Sequence, residues 1–257
     1  MSLSDFVNMD KWDGPYREVE CRKALHPSGL PDIDYALNPY AGCEHGCIYC
    51  YAPELTHADW SEWRVVRVKQ NIADRLSKEI GGLEGVIGIG TVTDPYQPAE
   101  RRFELTLSCL QVIERSEMSV HIHTKSDLIQ RDMELIGSMK HVIGLTVTTP
   151  DERVSKITEP GAPLPDVRFD NMRTLVEAGM NVYALVGPVM SSLTGKEEEF
   201  CSRIARTGVK TAYIDRLNLR PKLKERLERM HIVPSPPTVE KVRSILTSYG
   251  IDVHDVF

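Results

Sequence analysis

Short apolar runs rich in β-branched residues recur along the chain and alternate with amphipathic segments. Such runs, bounded by turn-forming residues, predict β-strands. One weak run precedes a cluster of cysteines, and stronger runs follow it. The predicted strands span residues 35–39, 86–92, 120–124, 142–148, 182–186 and 211–217.

Between these runs the apolar positions recur at helical spacing. The predicted helices span residues 72–80, 99–117, 132–139, 167–178 and 197–206. Strands that alternate with helices are typical of βαβ units, and near-continuous apolar strands suit a parallel sheet that is covered on both faces. The pattern therefore predicts an α/β fold, a partial (βα)6 TIM-type barrel that is open rather than closed by eight strands.

Prolines and glycines divide the chain into three segments. The first contains several prolines without a periodic pattern, so we expect an irregular N-terminal lead-in. After the last strand, prolines delimit two short helices, which predict a C-terminal helical extension. The expected segments are 1–34 for the lead-in, 35–219 for the barrel core and 220–257 for the extension, with its helices at 222–230 and 239–249.

Length and charge narrow the class of protein. The 257 residues suffice for one large domain, or for one domain with a short appendage. No apolar run reaches the roughly 20 residues that span a bilayer, and the start lacks the basic and apolar regions of a secretory signal. We therefore expect a cytoplasmic protein without a membrane partner. The net charge of −6 disfavours nucleic acid as a partner, although a local basic patch would be compatible with it.

Three cysteines, Cys43, Cys47 and Cys50, lie within eight residues with the spacing Cys-x3-Cys-x2-Cys. Gly42 and Gly46 allow the backbone to curl around a metal centre. Three thiolates on one loop can hold three irons of a [4Fe–4S] cubane and leave the fourth iron without a protein ligand. S-adenosylmethionine (SAM) can chelate that open iron through its amino and carboxylate groups, and one electron from the cluster then yields a 5′-deoxyadenosyl radical.

The alternative for this loop is a structural zinc site, with His45 or His57 as the fourth ligand. Zinc ligands commonly occur as two pairs, and the other three cysteines of the chain stand alone and far apart. We expect His121 and His123 to point to opposite faces of their strand, which would exclude them as a second pair. The spacing therefore favours the cubane over zinc.

The cysteine spacing, its place after the first strand and Tyr49 before the third cysteine resemble the radical SAM superfamily. Four segments are similar, more narrowly, to its spore photoproduct lyase-like branch, in particular to short bacterial and archaeal members. They are Asn-Pro-Tyr-Ala-Gly-Cys-Glu-His-Gly-Cys-Ile-Tyr-Cys-Tyr-Ala at 38–52, Thr-Asp-Pro-Tyr-Gln-Pro-Ala-Glu at 93–100, Thr-Lys-Ser at 124–126 and Thr-Glu-Pro-Gly-Ala-Pro at 158–163. The resemblance covers about residues 27–192. It implies a [4Fe–4S] cluster and SAM as cofactors, and a reducing partner of the flavodoxin or ferredoxin type.

The resemblance also implies a set of SAM contacts at the carboxyl ends of the strands, where a parallel barrel binds its ligands. The implied contacts are Tyr49 and the Gly187 backbone at the adenine, Thr93 and Asp94 at the amino group, Lys125 at the carboxylate and Thr148 at the ribose or carboxylate. Each residue type also has an ordinary structural use. Asp-Pro opens turns, lysine is mostly solvated, threonine favours strands and Val-Gly-Pro can simply end a strand.

The substrate side of the site departs from photoproduct lyase. That enzyme places a hydrogen-donating cysteine near the end of its second strand, where this chain has Thr91. A hydroxyl O–H bond is too strong to replace a thiol in this role, so DNA photoproduct repair is disfavoured. Tyr96, Gln97 and Glu100 follow that strand and are expected to face the open barrel mouth, which makes Tyr96 and Glu100 candidate catalytic residues. Packing of Tyr96 and a helix N-terminal role for Glu100 are equally compatible.

Three functions remain open on the sequence. The first is a radical SAM enzyme that abstracts hydrogen from a peptide, a protein or a small molecule. The second is a repair enzyme similar to DNA photoproduct lyase. The third belongs to another class, a metal-stabilised binding module without turnover.

Overall fold

A computed structural model describes residues 16–217 and 219–256. Within these residues an eight-stranded sheet forms the centre of the molecule, in the order β2-β3-β6-β7-β8-β9-β10-β11. All its neighbouring strands are parallel except β2 and β3. Its strands are β2 Leu25–Pro27, β3 Tyr35–Leu37, β6 Val86–Ile89, β7 Ser119–Thr124, β8 His141–Val147, β9 Val182–Val189, β10 Thr211–Arg216 and β11 Asp252–Asp255. The fold is thus α/β, a partial barrel whose described edge strands, β2 and β11, do not pair.

A three-stranded sheet lies beside the barrel and leads into the cysteine loop. It consists of β1 (Arg17–Val19), β5 (Arg67–Lys69) and β4 (Tyr40–Ala41), in the order β1-β5-β4. Because β4 ends directly before Gly42, the pairing of β4 with β5 fixes the point at which the loop begins.

The helices that connect the strands are mostly short. They are α1 Ala52–Leu55, α2 Trp60–Trp63, α3 Ile72–Glu79, α4 Glu100–Phe103, α5 Leu105–Ile113, α6 Met133–Gly137, α7 Glu152–Thr158, α8 Pro165–Glu177, α9 Glu197–Arg206, α10 Pro221–Glu228 and α11 Pro236–Ser248. None of the helices in the described part of the chain is both long and apolar enough to cross a membrane.

All six predicted strands are present. Two of the predicted helices differ from those in the structure, in ways that the periodicity of apolar residues does not reveal. The single helix expected at 99–117 is wrong, because the chain breaks at Glu104, whose φ of 49° lies in the left-handed region. The break separates α4 from α5. The helix expected at 132–139 is shortened to α6, since a 3-10 turn at Asp127–Asp132 precedes it.

The two terminal segments are more ordered than we expected. Residues 1–15 of the expected lead-in lie outside the described residues, and the rest of it contains β1 and β2, so it is not irregular throughout. The C-terminal extension is not purely helical either, since β11 continues the parallel sheet beside β10. These strands have three or four residues and are largely exposed, so they lack an apolar run that a pattern could show.

The two faces of the sheet differ in character. One face packs against the helices and contains the fully buried Ile122, Ile143 and Ala184. The other face is the inside of the open barrel. His121 and His123 both lie on this inner face, so our expectation that they point to opposite faces is wrong: residues two apart on a strand share a face.

Candidate active site

The cysteine loop turns sharply where β4 ends. Gly42 has a φ of +89°, and a side chain there would meet the carbonyl oxygens of Trp63 and Val65 at 2.6 and 2.7 Å. The Cys43 amide donates to the Trp63 carbonyl at 3.0 Å, which holds the loop against the end of α2. Gly46, with a φ of +57°, makes the second turn. Both glycines are therefore required by the path of the loop.

All three thiols of the loop are sheltered from solvent. Cys43 and Cys47 are 9% and 7% exposed, Cys50 is half-buried, and no disulfide involves them. Burial raises the pKa of all three thiols, that of Cys47 to about 12, although the nearby Lys125 opposes this shift at Cys47. Three thiol ligands on one buried loop fit a [4Fe–4S] cluster, whose iron charge would stabilise the thiolates.

The surroundings do not fit a zinc site. Nδ1 of His45 lies 3.3 Å from Oδ2 of Asp94, and His57 is exposed. In the residues that the structure describes, no group of three or more His, Cys, Asp or Glu side chains surrounds a position for a single metal ion. A [4Fe–4S] cubane does not require its protein ligands to surround one position, because each thiolate binds a separate iron.

Gln97 braces the loop from the barrel side. Its Oε1 accepts from the Glu44 amide at 2.9 Å, and its Nε2 donates to the Gly42 carbonyl at 3.2 Å. The segment after α7 braces the opposite side, where the Gly161 amide donates to the His45 carbonyl at 3.0 Å. The loop is thus anchored through its backbone on two sides, leaving the thiols for a metal.

The expected position at the barrel mouth is wrong for Glu100, whereas Tyr96 is buried but lines a cavity beside His45 and Gly161. Tyr96 is buried and donates its hydroxyl to Oδ2 of Asp132 at 3.1 Å. Glu100 is 0% exposed and accepts from the Tyr40 hydroxyl at 2.5 Å and from Arg131 at 2.7 Å. These side chains tie the segment after β6 to the core, because a buried carboxylate needs such partners.

Asp94, the implied contact of the SAM amino group, has several hydrogen-bond partners within the protein. Its Oδ1 accepts from Thr124 Oγ1 at 2.7 Å and from the Tyr96 amide, and its Oδ2 accepts from the Lys125 amide at 2.8 Å and faces His45. Burial alone would raise the pKa of Asp94, but His45 and the hydrogen bonds outweigh it and hold the pKa well below its usual range. A carboxylate has about four acceptor sites, so these partners saturate it.

The neighbouring Thr93 also has an internal partner. Its hydroxyl donates to the Tyr40 carbonyl at 3.2 Å, and the residue is buried. The pair Thr93 and Asp94 therefore shapes the end of β6 and the start of the following loop.

A buried network that includes Glu159 forms one wall of the site, and the sequence analysis missed it. Glu159 accepts from the Tyr49 hydroxyl, from Thr148 Oγ1 at 2.8 Å and from Arg168 Nη1 at 2.8 Å. Thr148, the implied contact of the ribose or carboxylate, thus donates its hydroxyl to Glu159. Nη2 of Arg168 is buried and has no hydrogen-bond partner among the described residues. The segment 158–163 carried the signal, but its glutamate had no assigned role.

Lys125 differs from these saturated groups. Its side chain is half-buried, and Nζ lies 5.8 Å from the centre of the Tyr49 ring. Across residues 16–217 and 219–256, this ammonium has no hydrogen bond or ion pair. Burial lowers the pKa of Lys125, but Cys47 and Glu159 outweigh this and raise it. A half-buried ammonium that has no internal counter-ion among the described residues suits an anionic ligand.

Gly187 and Asp215 lie side by side at the ends of β9 and β10. A Cβ on Gly187 would meet Cβ of Asp215 at 2.5 Å, so the glycine is needed for the close approach of these strands. Burial raises the pKa of Asp215 to about 6, although Lys125 opposes this shift. The sequence analysis did not single out Asp215.

The sequence matches a family model and is similar to uncharacterised proteins of other organisms. Residues 37–204 match the family model of the Radical SAM superfamily. An uncharacterised protein of Methanocaldococcus jannaschii is 34% identical over 186 residues, which is 70% of this chain and 70% of that protein. An uncharacterised protein of Mycobacterium tuberculosis is 30% identical over 235 residues, which is 83% of this chain and 68% of that protein.

Two solved structures share the fold. Spore photoproduct lyase with a dinucleoside spore photoproduct has a TM-score of 0.70 at 15% identity, over 93% of this chain and 81% of that chain. Streptococcus suis SuiB bound to SAM has a TM-score of 0.50 at 16% identity, over 86% of this chain and 46% of that chain. The family match covers more than half of the chain, so this protein belongs to the radical SAM superfamily, as an enzyme with a [4Fe–4S] cluster and SAM as its cofactors.

Proposed function

We propose that Cys43, Cys47 and Cys50 hold the cluster and that Lys125 binds the carboxylate of SAM. The observation that carries this proposal is the half-buried ammonium of Lys125, which has no hydrogen bond or ion pair among the described residues and lies near the thiols of Cys47 and Cys50. When bound, the two cofactors supply the electron transfer that cleaves SAM and generates a hydrogen-abstracting radical. The chain's own residues bind and orient SAM and keep water away from it.

Asp94 and Glu159 serve as positioning residues in this proposal. Asp94 accepts the Lys125 amide and so fixes the backbone from which the ammonium projects. Glu159 holds the hydroxyl of Tyr49, whose ring lies beside Lys125 and is proposed to pack against the adenine. The backbone at Gly187, beside Asp215, is the proposed second adenine contact.

We propose a peptide, a protein or a small molecule as the substrate. The net charge of −6 offers little electrostatic attraction for DNA. Thr91 also stands where a hydrogen-donating cysteine would be needed, and its hydroxyl accepts from Asn38 Nδ2 at 3.0 Å. Both features disfavour photoproduct repair, although spore photoproduct lyase shares the fold.

The reductant proposed is a flavodoxin or a ferredoxin, in the cytoplasm. All six cysteines are free thiols, which suits a reducing compartment. Such a carrier would deliver one electron at a time to the cluster.

The test compares Lys125→Ala with Lys78→Ala, a matched change at an exposed lysine of α3. Each protein is reconstituted anaerobically and assayed for iron, SAM affinity and 5′-deoxyadenosine. K125A should keep about four irons per chain. Its SAM affinity should fall at least about 30-fold, because removing one partner of a sheltered charge pair costs about 2–5 kcal/mol. K78A should match the unchanged protein.

Two outcomes would contradict the proposal. Equal SAM affinity in K125A and K78A would remove Lys125 from the site. Failure of the unchanged protein to form 5′-deoxyadenosine, despite a full complement of iron, would remove the assigned chemistry.

A further inference from the structure

A second group of potential metal ligands lies on the inner face of the sheet. The parallel register places His123 next to Gly144, and Gly144 next to Tyr183. A side chain at Gly144 would collide with both neighbours, with its Cβ at 2.5 Å from Tyr183 Oη and 2.8 Å from His123 Cδ2. The glycine therefore lets side chains of β7 and β9 meet across β8.

The side chains of these strands meet at one atom, the hydroxyl oxygen of Tyr183. Nε2 of His121 lies 2.9 Å from Tyr183 Oη, and Nε2 of His123 lies 2.5 Å from the same atom. The two imidazole rings lie side by side, with centroids 4.5 Å apart and an interplanar angle of 35°. Two nitrogens from β7 and one oxygen from β9 thus lie together on one face of the sheet, since residues two apart on a strand share a face.

We propose that His121, His123 and Tyr183 form a binding site for a divalent first-row transition ion such as Zn²⁺. The donor set is two imidazole nitrogens and one phenol oxygen, which suits such an ion better than Mg²⁺ or Ca²⁺. Zn²⁺ bonds to nitrogen and oxygen are about 2.0–2.2 Å long, so the ligands of a tetrahedral ion lie about 3.3–3.6 Å apart. The observed separations of 2.9 and 2.5 Å need to widen by about 0.4–1.1 Å.

Burial lowers the pKa of both histidines, that of His123 to about 3. Burial raises the pKa of Tyr183, so the ion would bind the neutral phenol or displace its proton.

Several charged or titratable groups act on the trio. Asp32 acts on His121, while Lys125 and Asp94 act on His123 with opposite signs. Tyr213 acts on Tyr183, and their rings lie 4.7 Å apart.

This site would be separate from the cluster. The histidines lie within β7, whereas the three cysteines lie on the loop after β4. Three ligands leave a fourth position open, as in zinc sites that bind a substrate or water. An ion here would make the inner face of the barrel a binding surface for an anionic or carbonyl oxygen.

The test uses protein with its iron–sulfur cluster loaded, so that the three cysteines are occupied. The protein is dialysed anaerobically against Zn²⁺ or Co²⁺, and the bound metal is measured with the iron. We expect one zinc per chain in addition to the iron. The cobalt form should show ligand-field absorption without thiolate-to-cobalt charge transfer.

Variants separate the proposed site from surface binding. His121→Asn and His123→Asn should each weaken zinc binding at least about tenfold, and Tyr183→Phe should weaken it less, because two imidazoles remain. His26→Asn on the exposed β2 and Tyr213→Phe are matched controls and should retain the zinc.

Two results would overturn the inference. The first is cluster-loaded protein that retains no zinc, which would reduce the group to a hydrogen-bonded trio. The second is retention of zinc by H121N and H123N, which would place the ion elsewhere. Neither result depends on SAM cleavage, so the cluster and SAM assignments would stand.

Discussion

Glu159 has three buried hydrogen-bond partners. One of them, Arg168, carries a positive charge that Glu159 compensates. Arg168 is 2% exposed, and its Nη1 pairs with Glu159 at 2.8 Å. Burial alone would raise the pKa of Glu159, but Arg168, Lys125 and two hydroxyl donors lower it. The carboxylate is therefore ionised at neutral pH and compensates a buried cation.

We expect Glu159→Gln to lower the free energy of unfolding by about 3–5 kcal/mol, because it leaves the Arg168 guanidinium buried without a counter-charge. Urea unfolding of cofactor-free protein measures this loss. Glu152→Gln is the matched control, since Glu152 lies on the neighbouring α7 and pairs with Lys156 at the surface. It should change stability by less than about 1 kcal/mol. A loss in E159Q as small as the control's would show that Glu159 does not compensate Arg168.

Asp215 should make stability depend on pH in a direction unusual for a carboxylate. Its pKa in the folded protein is raised to about 6, so the folded state holds a proton that the unfolded chain has already released above about pH 4. Stability contributed by this group therefore falls as pH rises from about 4 through 6.

Asp215→Asn removes that penalty. We expect the variant to gain roughly 3 kcal/mol of unfolding free energy at pH 7.5, and about half of this gain at pH 5. Urea unfolding of cofactor-free protein at the two pH values tests it. Asp74→Asn, a change at the exposed start of α3, should have the same effect at both pH values. A gain in D215N that is independent of pH would refute the assignment.

Single residues were predictable where spacing implies chemistry, and not where a role depends on contacts distant in sequence. The spacing of Cys43, Cys47 and Cys50 indicates an iron–sulfur ligand set without further information. By contrast, Glu100 is buried because it meets Tyr40, which is 60 residues away in the sequence. No local pattern distinguishes such a carboxylate from one at the barrel mouth.

At the scale of elements, α10 acts as a clamp on the cysteine loop. Arg226 donates from Nε to the Ile48 carbonyl at 2.6 Å and from Nη2 to the Cys50 carbonyl at 2.9 Å. Its guanidinium also lies 3.6 Å from the centre of the Trp60 ring. A helix from the C-terminal extension thus contacts both the loop and α2, which makes the extension part of the site.

Arg226→Ala should leave the fold intact and shorten the lifetime of the cluster. We expect iron release to a chelator to accelerate roughly tenfold, since hydrogen bonds to a charged donor contribute about 1.5–3 kcal/mol. The rate of iron release from Arg226→Lys should lie between the rates for the unchanged protein and for Arg226→Ala, because an ammonium cannot donate in the same forked geometry. Arg229→Ala is the control, since Arg229 pairs with the exposed Glu225 and with no other acidic side chain in the described part of the chain. Equal release from R226A and R229A would show that α10 merely covers the loop.

Elements were predictable in proportion to their apolar content. The six barrel strands bury most of one face, so their β-branched runs were visible in the sequence. The strand β11 has the sequence Asp-Val-His-Asp and forms only because β10 offers an open edge. Similarly, the break at Glu104 depends on a backbone conformation that side-chain periodicity does not encode.

For the whole molecule, the cysteine loop joins parts of the fold that are far apart in the sequence. Its backbone contacts Gln97 after β6, Thr158 and Gly161 around the end of α7, and Arg226 on α10. A ligand that orders this loop therefore stabilises several elements together. The alternation of strands and helices predicted the barrel, but these cross-contacts follow only from the folded chain.

Binding of the two cofactors should consequently raise the unfolding temperature in two separable steps. Cluster loading acts through the cysteine loop, whereas SAM acts through Lys125 as well. At a SAM concentration of 100 times Kd, binding adds about 2.7 kcal/mol, which corresponds to a rise of roughly 5–10 °C for a chain of this size. Anaerobic scanning fluorimetry of apo, cluster-loaded and SAM-saturated protein resolves the steps.

At the same SAM concentration, K125A should retain the cluster step and lose most of the SAM step, while K78A keeps both. If K125A kept both steps in full, SAM would be held by other residues, and the unpaired ammonium would need another ligand.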